Sequence, residues 1–187
     1  MRHGWAIALD GGPVLLPAET AYAAVATSER MLIGAARAET LKLANQREAA
    51  VPHAPVLLRG AEAFDLAAAR AVADPALDLA KPMKGPFRAE PLDWTEGATA
   101  ALELARIAGI LPAFLVDPAN AGEAQRFGPT DLAAFVDPSR LVIAARAHLP
   151  VAAGEECEIV AFRASDDLRE HVALMFGDPN GDRPPLV

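Results

Sequence analysis

At 187 residues, 52% hydrophobic and 22% charged, the chain can bury roughly 70% of its extended surface without metal or disulfide staples. Its one cysteine, Cys157, excludes an intrachain disulfide and a thiolate metal cage, and fits a reducing cytoplasm. A net charge of −8 argues against a nucleic-acid-binding domain, which would carry a basic face.

Met1-Arg2-His3-Gly4 is followed at once by Asp10 with no long apolar run, so no signal peptide is expected. The most apolar stretch, 101–116, carries Glu103 and Arg106 and breaks at Gly109 and Pro112. A membrane span is therefore not expected.

Taken in order, Gly11 and Gly12 precede a strand-like run at 13–18, which reads as a turn and not as a phosphate loop. Further apolar runs of strand length lie at 30–35, 54–60, 112–116 and 140–145, several bounded by Gly or Pro. Good helix formers predict a helix over 38–49. A second is predicted over 64–74, with Asp65 as N-cap and Pro75 just past its end. The clearest helix covers 95–109: Thr95 can cap it, Glu96 suits its positive end, and Gly109 can close it in the left-handed conformation. Ala101, Leu104, Ala105 and Ala108 give this helix an apolar stripe. Alternating strands and helices predict an α/β (α+β) fold, a three-layer sandwich of a mixed sheet with helices.

Near Pro150 the pattern changes. Residues 157–163 and 170–177 read as two strands joined by the polar 164–169, a C-terminal β-hairpin. Two segments are expected, 1–150 and 151–187. Residues 177–181 form a turn signal, followed by Pro184, Pro185, Leu186 and Val187 where a returning strand would be looked for.

Chemistry is scarce. His3, His53, His148 and His171 are not at metal-ligand spacings and read as surface or locally bonded residues. Cys157 reads as a small strand residue. No phosphate-loop, nucleophile-elbow or H-E-x-x-H motif occurs. One basic cluster stands out at 81–90, where Lys81, Lys84 and Arg88 can converge on a phosphate from an irregular Pro/Gly segment or simply be solvated. Glu155-Glu156 and Asp166-Asp167 read as solubilising charge.

The segment 151–187, with "EHVALMFGDPNGDRPPLV", resembles the opening of the GTP cyclohydrolase II domain, a zinc enzyme of riboflavin biosynthesis. The resemblance implies that the zinc-ligand cysteines and GTP-contacting residues belong to a part beyond Val187. It also makes the chain the front of a larger, truncated protein. "DGGPVLLPAE", "GAEAFDLAAARAVADP", "LAKPMKGPFRAEPL" and "EGATAALELARIAGILPAFLV" resemble 3,4-dihydroxy-2-butanone 4-phosphate synthase, which is fused ahead of that domain in many bacteria.

The departures from the synthase pattern bear on activity. Its acidic magnesium-binding loop is replaced by "PAETAYAA", with Glu19 as the only carboxylate. By the same resemblance, the metal-binding His falls on Gly97, a Thr on Ala98 and the catalytic Glu on Thr99. A phosphate-gripping Arg falls on Leu66, beside a retained Asp65, and a Gly-His pair falls on Met83-Lys84. Magnesium needs several hard oxygen ligands.

The resemblance thus implies a degenerate synthase-like domain (a pseudoenzyme), cytoplasmic and homodimeric. It would act as scaffold for a GTP cyclohydrolase II domain in cis or in trans. No cofactor is expected in this chain, and no nucleic-acid or membrane partner. The alternatives are a sugar-phosphate or nucleotide-binding enzyme of altered chemistry and a stand-alone ligand-sensing module. The former would use Lys81, Lys84 and Arg88 with Asp65 or Glu19 as base.

Overall fold

The computed structural model describes residues 1–22, 26–151, 157–164 and 170–177. The chain divides into two compact units, Met1–Ala134 and Phe135–Val187. In chain order the strands and helices are β1 (Ala6–Leu9), β2 (Val14–Pro17), β3 (Ser28–Ile33), α1 (Ala35–Thr40), β4 (Val56–Phe64), α2 (Leu66–Ala73), β5 (Phe87–Glu90), α3 (Thr95–Ile107), β6 (Ala113–Val116), β7 (Ala124–Phe127) and α4 (Pro129–Val136). Then follow β8 (Leu141–His148), β9 (Cys157–Ala164) and β10 (Glu170–Phe176).

The first unit is built on a seven-stranded sheet in the order β5-β4-β3-β6-β2-β1-β7. Its neighbours run antiparallel except for the parallel pair β1 and β7, which makes the sheet mixed. Because successive strand side chains point to opposite faces, one run feeds two cores. Met31, Ile33, Leu58 and Leu115 pack with Ala38 of α1 and Ala69 and Val72 of α2. Leu32, Leu57, Phe114 and Val116 pack with Ala98, Ala101 and Ala105 of α3. Both faces are therefore covered by helices. That explains why the strand-forming runs read as continuously apolar and not as alternating.

Three short strands escape the sequence reading. β1, β5 and β7 have four residues each. β5 and β7 are the sheet's edges, where charge is favoured because it discourages further pairing. Their sequences, FRAE and AQRF, look like loop for that reason.

The helix expected over 38–49 is shorter and broken. α1 ends at Thr40, Lys42 takes a positive φ of 63°, and Arg47–Ala49 forms a separate 3-10 turn. Tertiary bonding overrides propensity here. The Gln46 side chain donates to the Phe87 carbonyl at 3.0 Å and accepts from the Ala89 N–H at 2.7 Å, acting as a surrogate strand neighbour for β5.

α2 is capped as expected: the Asp65 carboxylate accepts from the Ala68 N–H at 2.7 Å. The start of α3 differs. Its N-cap is Trp94, and the Thr95 hydroxyl donates outward to the Leu92 carbonyl at 3.1 Å. Its end agrees with expectation: Gly109 has φ 68°, and Ile110 donates back to the Ala105 carbonyl at 3.0 Å. Its buried residues are Ala98, Ala100, Ala101, Leu102 and Ala105, which overlap the stripe read off the sequence only at Ala101 and Ala105, with Leu104 only partly buried.

In the second unit a three-stranded antiparallel sheet runs in the order β10-β9-β8. The hairpin of β9 and β10 agrees with the sequence reading. The structure divides between Ala134 and Phe135, whereas the sequence reading put a boundary near Pro150. β8, assigned from sequence to the first segment, pairs with β9 instead. An apolar run of strand length carries no mark of which sheet it joins. Glu155-Glu156, Asp166-Asp167 and the expected turn and tail beyond Gly177 lie outside the described residues.

Candidate functional site

A groove of about 730 Å³ runs between the C-terminal half of β4, the exposed side of α2 and the 81–87 segment. Lys81 and Lys84 both line it. Arg88 does not: it stands on β5 and lines a shallower depression of about 300 Å³ with Arg59. Strand alternation accounts for the separation. Phe87 and Ala89 pack into the core shared with α2, so Arg88 points to the opposite face.

The two lysines also differ. The Lys84 ammonium is ion-paired with Asp78, and its side chain is only 7% exposed. Arg37 clamps the same carboxylate with two hydrogen bonds of 2.8 and 2.7 Å, while its Nε donates to the Val72 carbonyl at the end of α2. The Arg37 guanidinium first, then the Lys84 ammonium, hold the Asp78 carboxyl well below the usual carboxylate range. Lys81 is exposed.

The two carboxylates weighed as bases are both tied to backbone. Asp65 caps α2, and the Glu19 carboxylate accepts from the Leu111 N–H at 2.6 Å. The segment 18–21 is fastened through its carbonyls. Arg70 of α2 donates to Ala18, Glu19 and Ala21 at 3.3, 3.2 and 2.8 Å.

At the start of α3, a Cβ built on Gly97 would lie 3.2 Å from Leu9 Cδ1, so a larger side chain there would require Leu9 to give way. Ala98 is fully buried, and the Thr99 hydroxyl donates to the Thr95 carbonyl at 2.9 Å. Among the described residues no three His, Cys, Asp or Glu side chains come together as a metal-ligand set.

On β3, β4 and β5, Arg30, Arg59 and Arg88 face one another across the strands. Like charges directly opposite repel, and carboxylates interleave to offset this. Asp117 pairs with Arg30 at 3.1 Å, Glu29 and Glu90 with Arg59, and Glu90 with Arg88 at 3.9 Å. Arg37, Arg70 and Asp78, which organise the groove and its neighbouring loop, were not singled out from sequence. The contacts of Arg37 with Ala71 and Asp78, and of Arg70 with Ala18, span 34 to 52 residues, so local spacing does not announce them.

Fold and site together describe an α/β unit in which the Asp65 and Glu19 carboxylates are held by backbone N–H groups, followed in the chain by a small antiparallel sheet. The chain is 33% identical over 134 residues to GTP cyclohydrolase-2 of Azospirillum brasilense, a match covering 64% of this chain and 34% of that protein. The matched region spans about a third of that relative's length. No protein-family model matches the chain, and no solved structure does. No helix among the described residues is long and apolar enough to cross a membrane.

Proposed function

We propose that the chain is a non-catalytic scaffold portion of a GTP cyclohydrolase II-type protein of riboflavin biosynthesis. In this reading the first unit is a degenerate 3,4-dihydroxy-2-butanone 4-phosphate synthase-like domain. The three-stranded sheet presents it to a cyclohydrolase domain in cis or in trans. The 33% identity to GTP cyclohydrolase-2 supports the pathway.

The observation that carries the non-catalytic part is the start of α3. Where the synthase pattern calls for a metal-binding His and a catalytic Glu, the chain has Gly97 packed toward Leu9 and Thr99 bonded to its own helix. The engagement of Glu19 and Asp65 with backbone N–H groups supports the same conclusion. Among the described residues a hard divalent cation would find no cluster of oxygen ligands there.

The sheet supports the scaffold role. Val142, Val172, Leu174 and Phe176 are 53–61% exposed, and the pairing register puts them on one face with Ile159 and Ala161. An apolar sheet face of this kind marks an interaction surface.

The purified chain is tested with ribulose 5-phosphate plus magnesium and, separately, with GTP. The expected result is neither 3,4-dihydroxy-2-butanone 4-phosphate nor formate, and no rise in melting temperature with magnesium. Turnover of either substrate by this chain would overturn the reading.

A further inference from the structure

The 79–84 loop inverts the usual burial of its side chains. It turns Leu79 and Met83 to solvent at 97% and 94% exposure, yet holds the Lys84 side chain at 7%. Lysine is among the residue types least often buried, and an ammonium taken out of water is costly unless its N–H groups are met. Lys84 has three such donors, and among the described residues its one partner is Asp78. Arg37, whose side chain is 10% exposed, reaches the same carboxylate. Its N–H groups are all committed, to Asp78, Thr40 and the Val72 and Ala71 carbonyls. Two sunken cations thus share one carboxylate.

The surplus charge borders a second cavity, of about 480 Å³, between the 82–87 segment and the residues that follow α1. Its size suits a small molecule. Thr40, Lys42, Asn45, Asp78 and Lys84 line it, and Asp78 is the only acidic residue among its described lining. Lys42 and Asn45 are exposed, and neither side chain has a partner among the described residues. With Arg37 bonded to Asp78, three cations stand against one carboxylate in a chain whose net charge is −8. We propose that this cavity binds a small phosphate dianion, free or as a monoester, with Lys84 as its buried cation and Lys42 and Asn45 as donors at its rim. A dianion offsets the local surplus and accepts the N–H groups that Lys84 and Lys42 leave unused, as charge-assisted hydrogen bonds. The site uses neither Lys81 nor Arg88 and requires no turnover. It therefore goes beyond the scaffold reading, and either can fail without the other.

The test is isothermal titration calorimetry of the full chain with inorganic phosphate and, separately, with glycerol 2-phosphate, in chloride buffer of matched ionic strength. Saturable binding of at least one is expected, and the tighter of the two tells the free ion from the monoester. Lys42 has a φ of 63°, a conformation that asparagine tolerates, so Lys42→Asn keeps the backbone and should weaken binding by about tenfold. Lys84→Met, which keeps the apolar stem, should abolish it. Lys81→Ala and Arg88→Ala should leave it unchanged. Circular dichroism checks the fold of each variant, and Lys42→Asn carries the test if Lys84→Met does not fold. No saturable binding of either probe, binding indifferent to Lys42→Asn, or binding lost with Lys81→Ala would each overturn the proposal.

Discussion

Lys84 and Asp78 are ion-paired at the foot of the 79–84 loop, and Arg37 closes on the same carboxylate from α1. The pairing ties the loop to the end of α2, because Arg37 also donates to the Val72 and Ala71 carbonyls. The loop's exposed apolar side chains therefore stand on an anchored base.

The anchor has a pH signature. Asp78 titrates below its ordinary value of 3.8, so its stabilising contribution is complete above that value and is lost as pH falls toward the lower folded value. Asp78→Asn should lower the melting temperature at neutral pH. The gap between wild type and variant should narrow below about pH 4. A gap that widened with acidification would contradict the assignment.

Asp65, a carboxylate beside the groove, tests whether its role is chemical or structural. As the cap of α2, its replacement by Ala should cost about 1 kcal/mol in urea unfolding. Asn, which keeps a side-chain acceptor, should recover most of that. Equal losses for Asn and Ala would show that the charge, and not the hydrogen bond, matters there.

Glu19 is bound by the same logic to the Leu111 N–H. Glu19→Ala should cost about 1–3 kcal/mol by removing that acceptor, and Glu19→Gln clearly less. Faster amide exchange at Leu111 in the Ala variant would locate the effect.

The exposed face of the three-stranded sheet predicts binding of an apolar dye. Val172→Lys with Leu174→Lys should reduce dye fluorescence while changing stability by no more than about 0.5 kcal/mol per site. A large loss of stability would mean that these side chains are packed in solution.

Much of the architecture was legible beforehand, for local reasons. Asp65 followed by a run of alanines announces a capped helix, and Gly109 a helix end, because both depend on backbone groups a few residues away. The apolar runs at 30–35, 54–60 and 112–116 declared strands, since burial on two faces demands unbroken hydrophobicity. Edge strands β5 and β7 stayed hidden because edge positions favour charge. Lys81, Lys84 and Arg88 were legible as cations but not as separate ones.

From residue order alone came an acidic α/β chain with capped helices and the β9–β10 hairpin, all matters of composition and short-range spacing. The fold in three dimensions assigned β8 to the second sheet and turned Arg88 away from the lysines. It also spent Glu19 on the Leu111 N–H and brought Arg37 onto Asp78, the carboxylate that holds Lys84. These outcomes depend on partners tens of residues distant, and a linear pattern records which groups exist but not which of them meet.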